Sequence, residues 1–205
     1  MSKMAISNLS LEGLLTPERG IREIFQKPPT LETPRLRLRR LRMSDAKDLY
    51  AWTSDPEVAR YVLWEAHRDP GDTRTYLRYM RGLYRRAMPC SWGIELKETG
   101  KVIGTIGVMA WFPEHRSVEV GYSLGRKWWH FGYAPEALDR LLKLLFEEGG
   151  INRVEAQCDV RNPASARVME KCGMRREGIL RQRVCNKGEM VDVILYAMLA
   201  EDRKG

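Results

Sequence analysis

The stretch between Ser117 and Met174 limits the possible folds of this chain more than any other segment, because strand and helix patterns alternate along it. An alternating strand ends at Leu124, and a short loop then leads into a helix. That helix is recognised by leucines that recur at i, i+3, i+4 and i+7, namely Leu138, Leu141, Leu142 and Leu145. A second strand and a second helix follow. The stretch therefore predicts a βαβα unit.

The loop between the first strand and its helix has features of an anion-binding site. It reads Trp-His-Phe-Gly-Tyr-Ala over residues 129–134, and Pro135 suits the first turn of the helix. Free N–H groups at a helix N-terminus attract phosphate groups, and Gly132 permits a close backbone approach or a positive φ angle. A glycine before a helix more often serves ordinary turn chemistry, so this motif alone is a weak indication of a phosphate site.

The second half of the unit strengthens the assignment of its elements. Asn162 is suited to cap the second helix, Pro163 to occupy its first position, and Gly173 to end it. The strand before it alternates as a half-buried strand does, through Val154, Ala156, Cys158 and Val160. A well-capped core helix would explain these residues without any function.

Taken together, these residues resemble the GNAT acetyltransferases. The resemblance rests on Glu-Val-Gly-Tyr at 119–122, on the loop at 129–134, and on the pattern Asn-x-x-Ser-x-Arg-Val-Met-Glu-Lys-x-Gly at 162–173. The opening Glu-Thr-Pro-Arg-Leu-Arg-Leu-Arg at 32–39 is typical of the branch that contains the ribosomal-protein N-terminal acetyltransferases, the RimJ/RimL-like proteins. The similarity extends over about residues 30–200, and it is more specific for the fold and cofactor than for the substrate.

The expected fold class is α+β (mixed α/β), because hairpin patterns surround the βαβα unit. The resemblance implies a GNAT-like domain over residues 30–205, with a mostly antiparallel mixed sheet of about six to seven strands, a splayed central strand pair and flanking helices. Residues 1–29 are expected to form an N-terminal extension, a helical arm with apolar faces at 9–15 and 21–25. A packing arm, a homodimer contact and a loosely attached tail remain open for it.

The resemblance also implies that acetyl-CoA binds between the fourth and fifth strands. Backbone groups of the fourth strand would pair with the pantetheine, and the loop before the long helix would hold the pyrophosphate. The implied cofactor-binding residues are Tyr122, Ser123, Leu124, Trp129, His130, Phe131, Gly132, Tyr133, Ala134, Asn162, Ser165 and Lys171. Family members often have glycine where His130 stands, so the phosphate contacts are expected to differ in detail. Further charge could come from Arg126, Lys127 and Arg167.

Glu119 and Ser165 are the predicted catalytic residues. Glu119 is a carboxylate in an otherwise apolar strand, which suits a general base, although it could face solvent or pair with an arginine. Many family members place a proton-donating tyrosine where this chain has Met169, and methionine cannot donate a proton. Ser165, three residues after Asn162, is the substitute donor, unless it only caps backbone or no acid is needed.

The net charge of +8 raises the question of a nucleic-acid partner. The arginines between Arg35 and Arg42 alternate with leucines, which predicts a half-exposed strand with a solvated arginine face. No continuous basic helix is recognised in the sequence. A basic protein also suits an anionic cofactor or a substrate on the ribosome surface. We therefore expect no direct nucleic-acid partner.

The few possible metal ligands are dispersed along the chain. Its four cysteines and three histidines show no metal-ligand spacing, so neither a metal site nor a disulfide framework is expected. No apolar run is long enough to span a membrane, and no signal-peptide pattern is present. These observations favour a cytoplasmic protein without a membrane partner.

The leading prediction is an acetyl-CoA-dependent N-acetyltransferase that modifies the α-amine of a protein N-terminus, such as that of a ribosomal protein. A small amine acceptor (an antibiotic, an amino acid or a polyamine) is the alternative. A non-catalytic acyl-CoA-binding or ribosome-binding module is the alternative of another class. Candidates to line the acceptor cleft are Trp64, Tyr79 and Tyr84, and candidates to bind a cationic acceptor are Glu65, Asp69, Asp72 and Glu114.

Overall fold

One eight-stranded sheet organises the structure, a computed structural model that describes residues 20–204. The strands lie in the order β1-β2-β3-β4-β5-β6-β8-β7. Their bounds are β1 Leu31–Glu32, β2 Leu36–Arg40, β3 Ser91–Leu96, β4 Val102–Phe112, β5 Ser117–Leu124, β6 Arg153–Asp159, β7 Arg175–Asn186 and β8 Glu189–Leu199. The helices are α1 over 20–26, α2 Ala46–Thr53, α3 Pro56–Ala59, α4 Pro70–Arg85, α5 Tyr133–Glu147 and α6 Pro163–Lys171.

The mixed, mostly antiparallel sheet agrees with the predicted fold class. Only β5 and β6 pair in parallel, and every other neighbouring pair is antiparallel. The sheet has eight strands rather than six or seven, because the segment before Leu41 does not form one strand. Pro34 has no backbone N–H, and the chain turns there, with Thr33 N donating to Leu36 O at 2.9 Å.

Two other segments differ from the sequence expectations. The sequence pattern predicts a loop over 109–116, but residues 109–112 extend β4 after an irregularity in the β4–β5 register between Val108 and Ala110. For the terminal hairpin the pattern predicts strands over 178–184 and 191–198, and both strands are longer than that. Its tip reaches α3, where Lys187 Nζ donates to Ala59 O at 2.5 Å. The hairpin therefore helps to enclose the space beside the sheet.

The parallel pair at the centre of the sheet separates partway along its length. Three residue pairs join β5 to β6: Ser117 with Arg153, Val118 with Val154, and Glu119 with Glu155. Beyond them, β5 keeps its antiparallel pairing with β4 as far as Leu124. The edge of β5 that faces β6 therefore has no partner strand after Glu119. The predicted splayed strand pair is present at this point.

The core contains the predicted apolar face of α5 and the described part of the N-terminal extension. All four leucines that predicted α5 are fully buried. In α1, Ile21 and Phe25 are also buried, and the Phe25 ring lies 5.8 Å from that of Trp111. The expected apolar face at 9–15 lies outside the described residues. Within the described range, no helix is both long enough and apolar enough to cross a lipid bilayer.

Helix α4 shows that the sequence interpretation of the charge was incomplete. Its 16 residues begin at a proline capped by Asp69, and one face is buried through Thr73, Leu77, Met80, Leu83 and Tyr84. The exposed side carries Arg74, Arg78, Arg81 and Arg85. The premise that the chain has no continuous basic helix is therefore wrong. The arginines alternate irregularly with apolar residues in the sequence, and the two kinds of residue come to lie on opposite faces only when the helix forms.

Candidate active site

A cleft of about 510 Å³ opens where β5 and β6 separate. Its floor consists of residues 119–123 of β5 and 156–159 of β6. Residues of α2, α4, the segment 61–67 and the β7–β8 hairpin form the remaining walls. The divergence of two parallel strands thus creates a space that is bordered by backbone without a strand partner.

Glu119 stands at the fork between the two strands and lines this cleft. Its side chain is half-buried, and Gln157 Nε2 donates to Glu119 Oε1 at 2.8 Å. Within the described chain, Oε2 of Glu119 accepts no hydrogen bond and no arginine pairs with the carboxylate. The register partner Glu155 differs, because it pairs with Arg153 at 2.6 Å and does not line the cleft. Glu119 is therefore a held carboxylate with one oxygen available to accept a proton.

Ser165 lies at the start of α6 and contacts a second hydroxyl that the sequence had not indicated. Its backbone N–H donates to the capping Asn162 Oδ1 at 3.2 Å, and its Oγ lies 2.9 Å from Tyr122 Oη. Tyr122 Oη also donates to Ser165 O at 3.0 Å. Met169 is fully buried in the core, away from the cleft. Tyr122 thus places a phenol from β5 beside Ser165, whereas the buried Met169 of α6 offers no hydroxyl.

The proton arrangement at this pair follows from the donors available. Burial raises the pKa of the Tyr122 phenol well above its usual range, despite an opposing contribution from the hydrogen bond with Ser165. The phenol therefore stays protonated and has one hydrogen to donate. Because Ser165 O can only accept, a phenol that donates there leaves the Ser165 hydroxyl free to donate to Tyr122 or into the cleft.

The loop at 129–134 has the geometry that an anion requires. In the described chain, the backbone N–H groups of residues 130–134 donate to no acceptor, and they precede or begin the 15-residue helix α5. Gly132 has φ of 80°, and His130 has φ of 68°, which is a left-handed conformation in the position where related sequences often have glycine. The unpaired N–H groups at a helix N-terminus fit a pyrophosphate group. His130 therefore keeps the backbone shape that the substitution had placed in doubt.

Trp129 connects this loop to the end of β5. Its indole Nε1 donates to Leu124 O at 2.6 Å, and its half-buried ring packs against the core. Leu124 is buried and does not line the cleft, whereas Tyr122 and Ser123 do. Phe131 is 61 % exposed and stacks on Tyr133 with 5.9 Å between ring centroids. The hydrogen bond between Trp129 and Leu124 thus attaches the loop to the end of β5.

Arg35 and Glu136 clamp the same loop, and sequence reasoning had assigned neither a role there. Arg35 Nη1 donates to Phe131 O at 2.9 Å, and its Nε donates to Glu136 Oε2 at 2.6 Å. The guanidinium lies 4.5 Å from the centre of the Tyr133 ring. Thr33 Oγ1 donates to Glu136 Oε1 at 2.5 Å. Burial alone would raise the pKa of Glu136, but the hydrogen bonds from Thr33 and Arg35 outweigh it and lower the pKa.

Helix α6 extends from the hydroxyl pair, Tyr122 and Ser165, towards the loop at 129–134, which we term the phosphate loop. At its C-terminal end, Cys172 Sγ donates to Pro135 O at 3.3 Å, and burial raises the pKa of this thiol to about 12. The exposed Lys171 is therefore held beside the N-terminus of α5, about 9 Å along the helix axis from Ser165. Of the other basic candidates, Arg126 pairs with Asp55 at 2.8 Å, and Lys127 and Arg167 are exposed.

The acceptor side of the cleft is mainly aromatic. Ring centroids are 6.4 Å apart for Trp52 and Trp64, 5.7 Å for Trp64 and His67, and 6.4 Å for His67 and Tyr76. His67 Nδ1 lies 2.8 Å from Thr73 Oγ1, and burial lowers the pKa of its imidazole. Tyr79 lines the cleft with 57 % of its side chain exposed.

Several predicted acceptor-side residues lie elsewhere. The Tyr84 hydroxyl donates to Ser91 O at 2.6 Å, and Tyr84 does not line the cleft. The four acidic candidates, Glu65, Asp69, Asp72 and Glu114, do not line the cleft either. Asp69 and Asp72 instead accept backbone N–H groups around the start of α4. The carboxylates that do line the described cleft are Glu119 and Asp159, and Asp159 pairs with Arg161 at 2.7 Å. Glu119 is therefore the carboxylate available to an ammonium group.

Comparisons with known proteins agree with this arrangement. The family model for the acetyltransferase (GNAT) domain matches residues 35–175. A Bacillus licheniformis protein described as an uncharacterized N-acetyltransferase is 33 % identical over 86 % of this chain and 99 % of its own. A GNAT-family acetyltransferase from Bacillus anthracis has a solved structure with a TM-score of 0.76 at 30 % identity, covering 84 % of this chain and 99 % of that one.

A more distant likeness extends to a structure that contains the expected cofactor. RimL, described as a ribosomal L7/L12 α-N-protein acetyltransferase in complex with coenzyme A, aligns with a TM-score of 0.75. The identity is 21 %, and the alignment covers 83 % of this chain and 98 % of that chain. At this identity the likeness concerns the fold.

Arg35→Ala should weaken coenzyme A binding about tenfold, because the loop at 129–134 loses a charged hydrogen-bond donor and Glu136 loses its ion-pair partner. Isothermal titration calorimetry with coenzyme A would measure the change. Arg37→Ala is the matched control, since Arg37 pairs with Glu32 and Glu95 and touches no part of the loop. Equal affinities for the Arg35 variant and the unaltered protein would contradict the assigned clamp.

Proposed function

Because the chain belongs to the GNAT acetyltransferase family, and so is an N-acetyltransferase that uses acetyl-CoA, we propose that its acceptor is the N-terminal α-amine of a protein whose first residue is apolar or aromatic. The observation that carries this proposal is the acceptor wall of Trp52, Trp64, His67 and Tyr76 beside a single available carboxylate, Glu119. A protein N-terminus presents one positively charged amine next to one side chain. In the cleft, Glu119 could bind the amine and the aromatic wall could contact the side chain.

The mouth of the cleft suits an acceptor that continues beyond its first residue. Leu63 and Tyr79 line it with 68 % and 57 % of their side chains exposed. Exposed apolar side chains at the rim of a site favour contact with further residues of a polypeptide. RimL, which shares the fold at 21 % identity, is described as an enzyme that acetylates the α-amine of a ribosomal protein, and that is an acceptor of the kind proposed here.

A small aromatic monoamine is the second candidate, and the aromatic wall itself favours it. Aminoglycosides and polyamines are poorer candidates, because several ammonium groups would need several carboxylates. The acidic residues considered for that purpose do not line the cleft, and Asp159 is already paired with Arg161.

Binding of acetyl-CoA would use the two ends of α6 and the open edge of β5. The free N–H groups at 130–134 would hold the pyrophosphate, with Lys171 adding charge, and backbone groups near Tyr122 and Ser123 would pair with the pantetheine. Asn162 shapes the cleft where α6 begins. When bound, acetyl-CoA supplies an acetyl group that is activated as a thioester.

Glu119 would act as the general base in this proposal. An ammonium group cannot attack a carbonyl carbon until it loses a proton, and Glu119 Oε2 is the acceptor for that proton, directly or through water. Gln157 holds the other oxygen, which fixes the carboxylate at the fork of β5 and β6. The acceptor amine would therefore be deprotonated beside the end of the strand pairing.

The Tyr122–Ser165 pair would stabilise the departing sulfur. Ser165 would donate a hydrogen bond into the cleft, while Tyr122 keeps its proton and donates a hydrogen bond to the Ser165 carbonyl oxygen, which holds the start of α6 in place. The raised pKa of Tyr122 lies far above the value of about 8.5 for an ordinary thiol, so Tyr122 would donate a hydrogen bond rather than surrender its proton.

Glu119→Gln should lower kcat about a hundredfold or more at neutral pH, because the amide keeps the shape of the carboxylate but cannot accept the proton. Glu155→Gln is a close control, because Glu155 occupies the same register position on the neighbouring strand and should change the rate less than about twofold. An unaltered rate and pH profile for Glu119→Gln would exclude the base role.

Ser165→Ala and Tyr122→Phe should each lower kcat about tenfold, as expected for loss of a hydrogen bond to a developing charge. If the two hydroxyls act as one unit, the double variant should be no slower than the slower single variant. Steady-state assays of free thiol release would give the rates. Strictly multiplicative effects would show that the hydroxyls act separately.

The acceptor proposal is tested with short peptides that differ only in their first residue. Peptides that begin with Phe, Leu or Met should have kcat/KM values at least about tenfold above those that begin with Asp or Lys, because one apolar group in a matching pocket contributes about 1–3 kcal/mol. Mass spectrometry would locate the acetyl group. Faster turnover of spermidine or an aminoglycoside than of every peptide would overturn the proposal.

A further inference from the structure

The exposed face of α4 carries four arginines in line, at positions 74, 78, 81 and 85, which we term the arginine row. At 100° per residue they fall within a sector of about 60° and extend about 16 Å along the helix. All four side chains are exposed. The helix contains no lysine, and its one acidic residue, Asp72, accepts the Arg68 N–H at the helix start.

The arginine row has no counter-charge in the described part of the chain. None of its members forms an ion pair with residues 20–204, and its one side-chain hydrogen bond joins Arg78 Nη2 to Thr75 Oγ1 at 2.8 Å. Other surface arginines, such as Arg153 and Arg203, do pair with carboxylates. The charge of the row is therefore available to a partner.

A second hollow, of about 480 Å³, adjoins the row at Arg81. Arg39, Arg40 and Arg42 also line it, and no carboxylate among residues 20–204 does. Arg39 is neutralised by Asp45 and Glu95, at 2.9 and 2.5 Å. Arg40 lies 4.7 Å from the Tyr84 ring centre, and within the described range neither Arg40 nor Arg42 has an ion pair. Three uncompensated guanidinium groups thus surround a concave surface.

This surface is separate from the acetyl-transfer cleft. Tyr76, Tyr79, Met80 and Leu83 of α4 line the cleft, whereas Arg81 and Tyr84 line the hollow. The helix therefore lies between the two cavities. The phosphate loop before α5 is a third location, so cofactor binding does not account for the arginine row.

We propose that the arginine row and the adjoining hollow bind the phosphate backbone of a nucleic acid. Guanidinium groups match phosphate oxygens in bidentate geometry, and here they recur about once per 5.4 Å helical turn, as repeating backbone charges require. An isoelectric point of 9.5, with the positive charge gathered along a helix, is the electrostatic pattern of such proteins. An acidic polypeptide would match the row, but the hollow is larger than a carboxylate needs. Binding through the backbone is independent of base sequence.

The test is fluorescence anisotropy with a labelled 20-nucleotide single-stranded RNA and a DNA of the same sequence, titrated with the full-length protein at several salt concentrations. The altered protein is the triple variant Arg74→Gln, Arg78→Gln and Arg81→Gln. The matched control is Arg176→Gln, Arg181→Gln and Arg183→Gln, which removes the same charge from exposed positions on β7. Acetylation of a small amine is measured for all three proteins and should be unchanged, since none of these residues lies in the active site.

The row variant should bind RNA at least about tenfold more weakly, and the slope of log affinity against log salt should fall by about two. The β7 control should lose less than about threefold. The proposal is overturned if the unaltered protein does not bind either nucleic acid at about 100 mM salt, or if both triple variants lose affinity equally. Tighter binding of a poly-glutamate peptide than of RNA would assign the surface to an acidic polypeptide instead. None of these results depends on the acceptor of acetyl transfer.

Discussion

The site depends on one interruption of hydrogen bonding in the sheet. The parallel pairing of β5 and β6 stops after Glu119 and Glu155, while β5 stays bonded to β4 on its other side as far as Leu124. Unpaired backbone at a strand edge is costly to bury without a partner, so the separation is stable only as an open cleft that water or a ligand can enter. Just beyond the last pair, the Gln157 side chain reaches Glu119 and donates to its carboxylate.

Contacts that are distant in sequence fix both ends of this cleft. At one end, Arg35 and Thr33 hold Glu136, and Trp129 holds Leu124, so the phosphate loop is attached to two parts of the sheet. The other end is fixed where Asn162 caps α6 and Tyr122 contacts Ser165. A rigid helix between the two ends sets the distance between the expected phosphate and thioester positions.

The same sheet supports surfaces of different character on the two sides of α4. Among the described residues, the cleft side is aromatic and contains one carboxylate without an ion pair, and the outer side carries several arginines without one. A single helix with period 3.6 produces both, because residues four apart share a face and residues two apart do not. The net charge of the chain therefore says less about its partners than the distribution of that charge does.

The sequence by itself determined the elements and motifs whose causes are local. The leucine spacing of α5, the Asn-Pro start of α6, the glycine at 132 and the carboxylate in β5 could all be recognised, since each depends on residues within a few positions. These features, together with the resemblance to the GNAT family that they carry, were enough to indicate the fold class, the cofactor and the candidates Glu119 and Ser165. The strand character of 109–112 was missed because pairing with a neighbouring strand decides it. The break at Pro34 was missed although its cause, a proline without an N–H, is local.

Only the tertiary structure decided which side chains meet. Arg35 pairs with Glu136, which lies 101 positions away in the sequence, and Tyr122 contacts Ser165, which lies 43 positions away. The aromatic wall combines residues of α2, α4 and the segment between α3 and α4. Pairing over such separations depends on sheet order and register, which no local periodicity specifies. For the same reason the sequence could name a carboxylate and a hydroxyl in advance, but it could not show that the Tyr122 hydroxyl lies against Ser165.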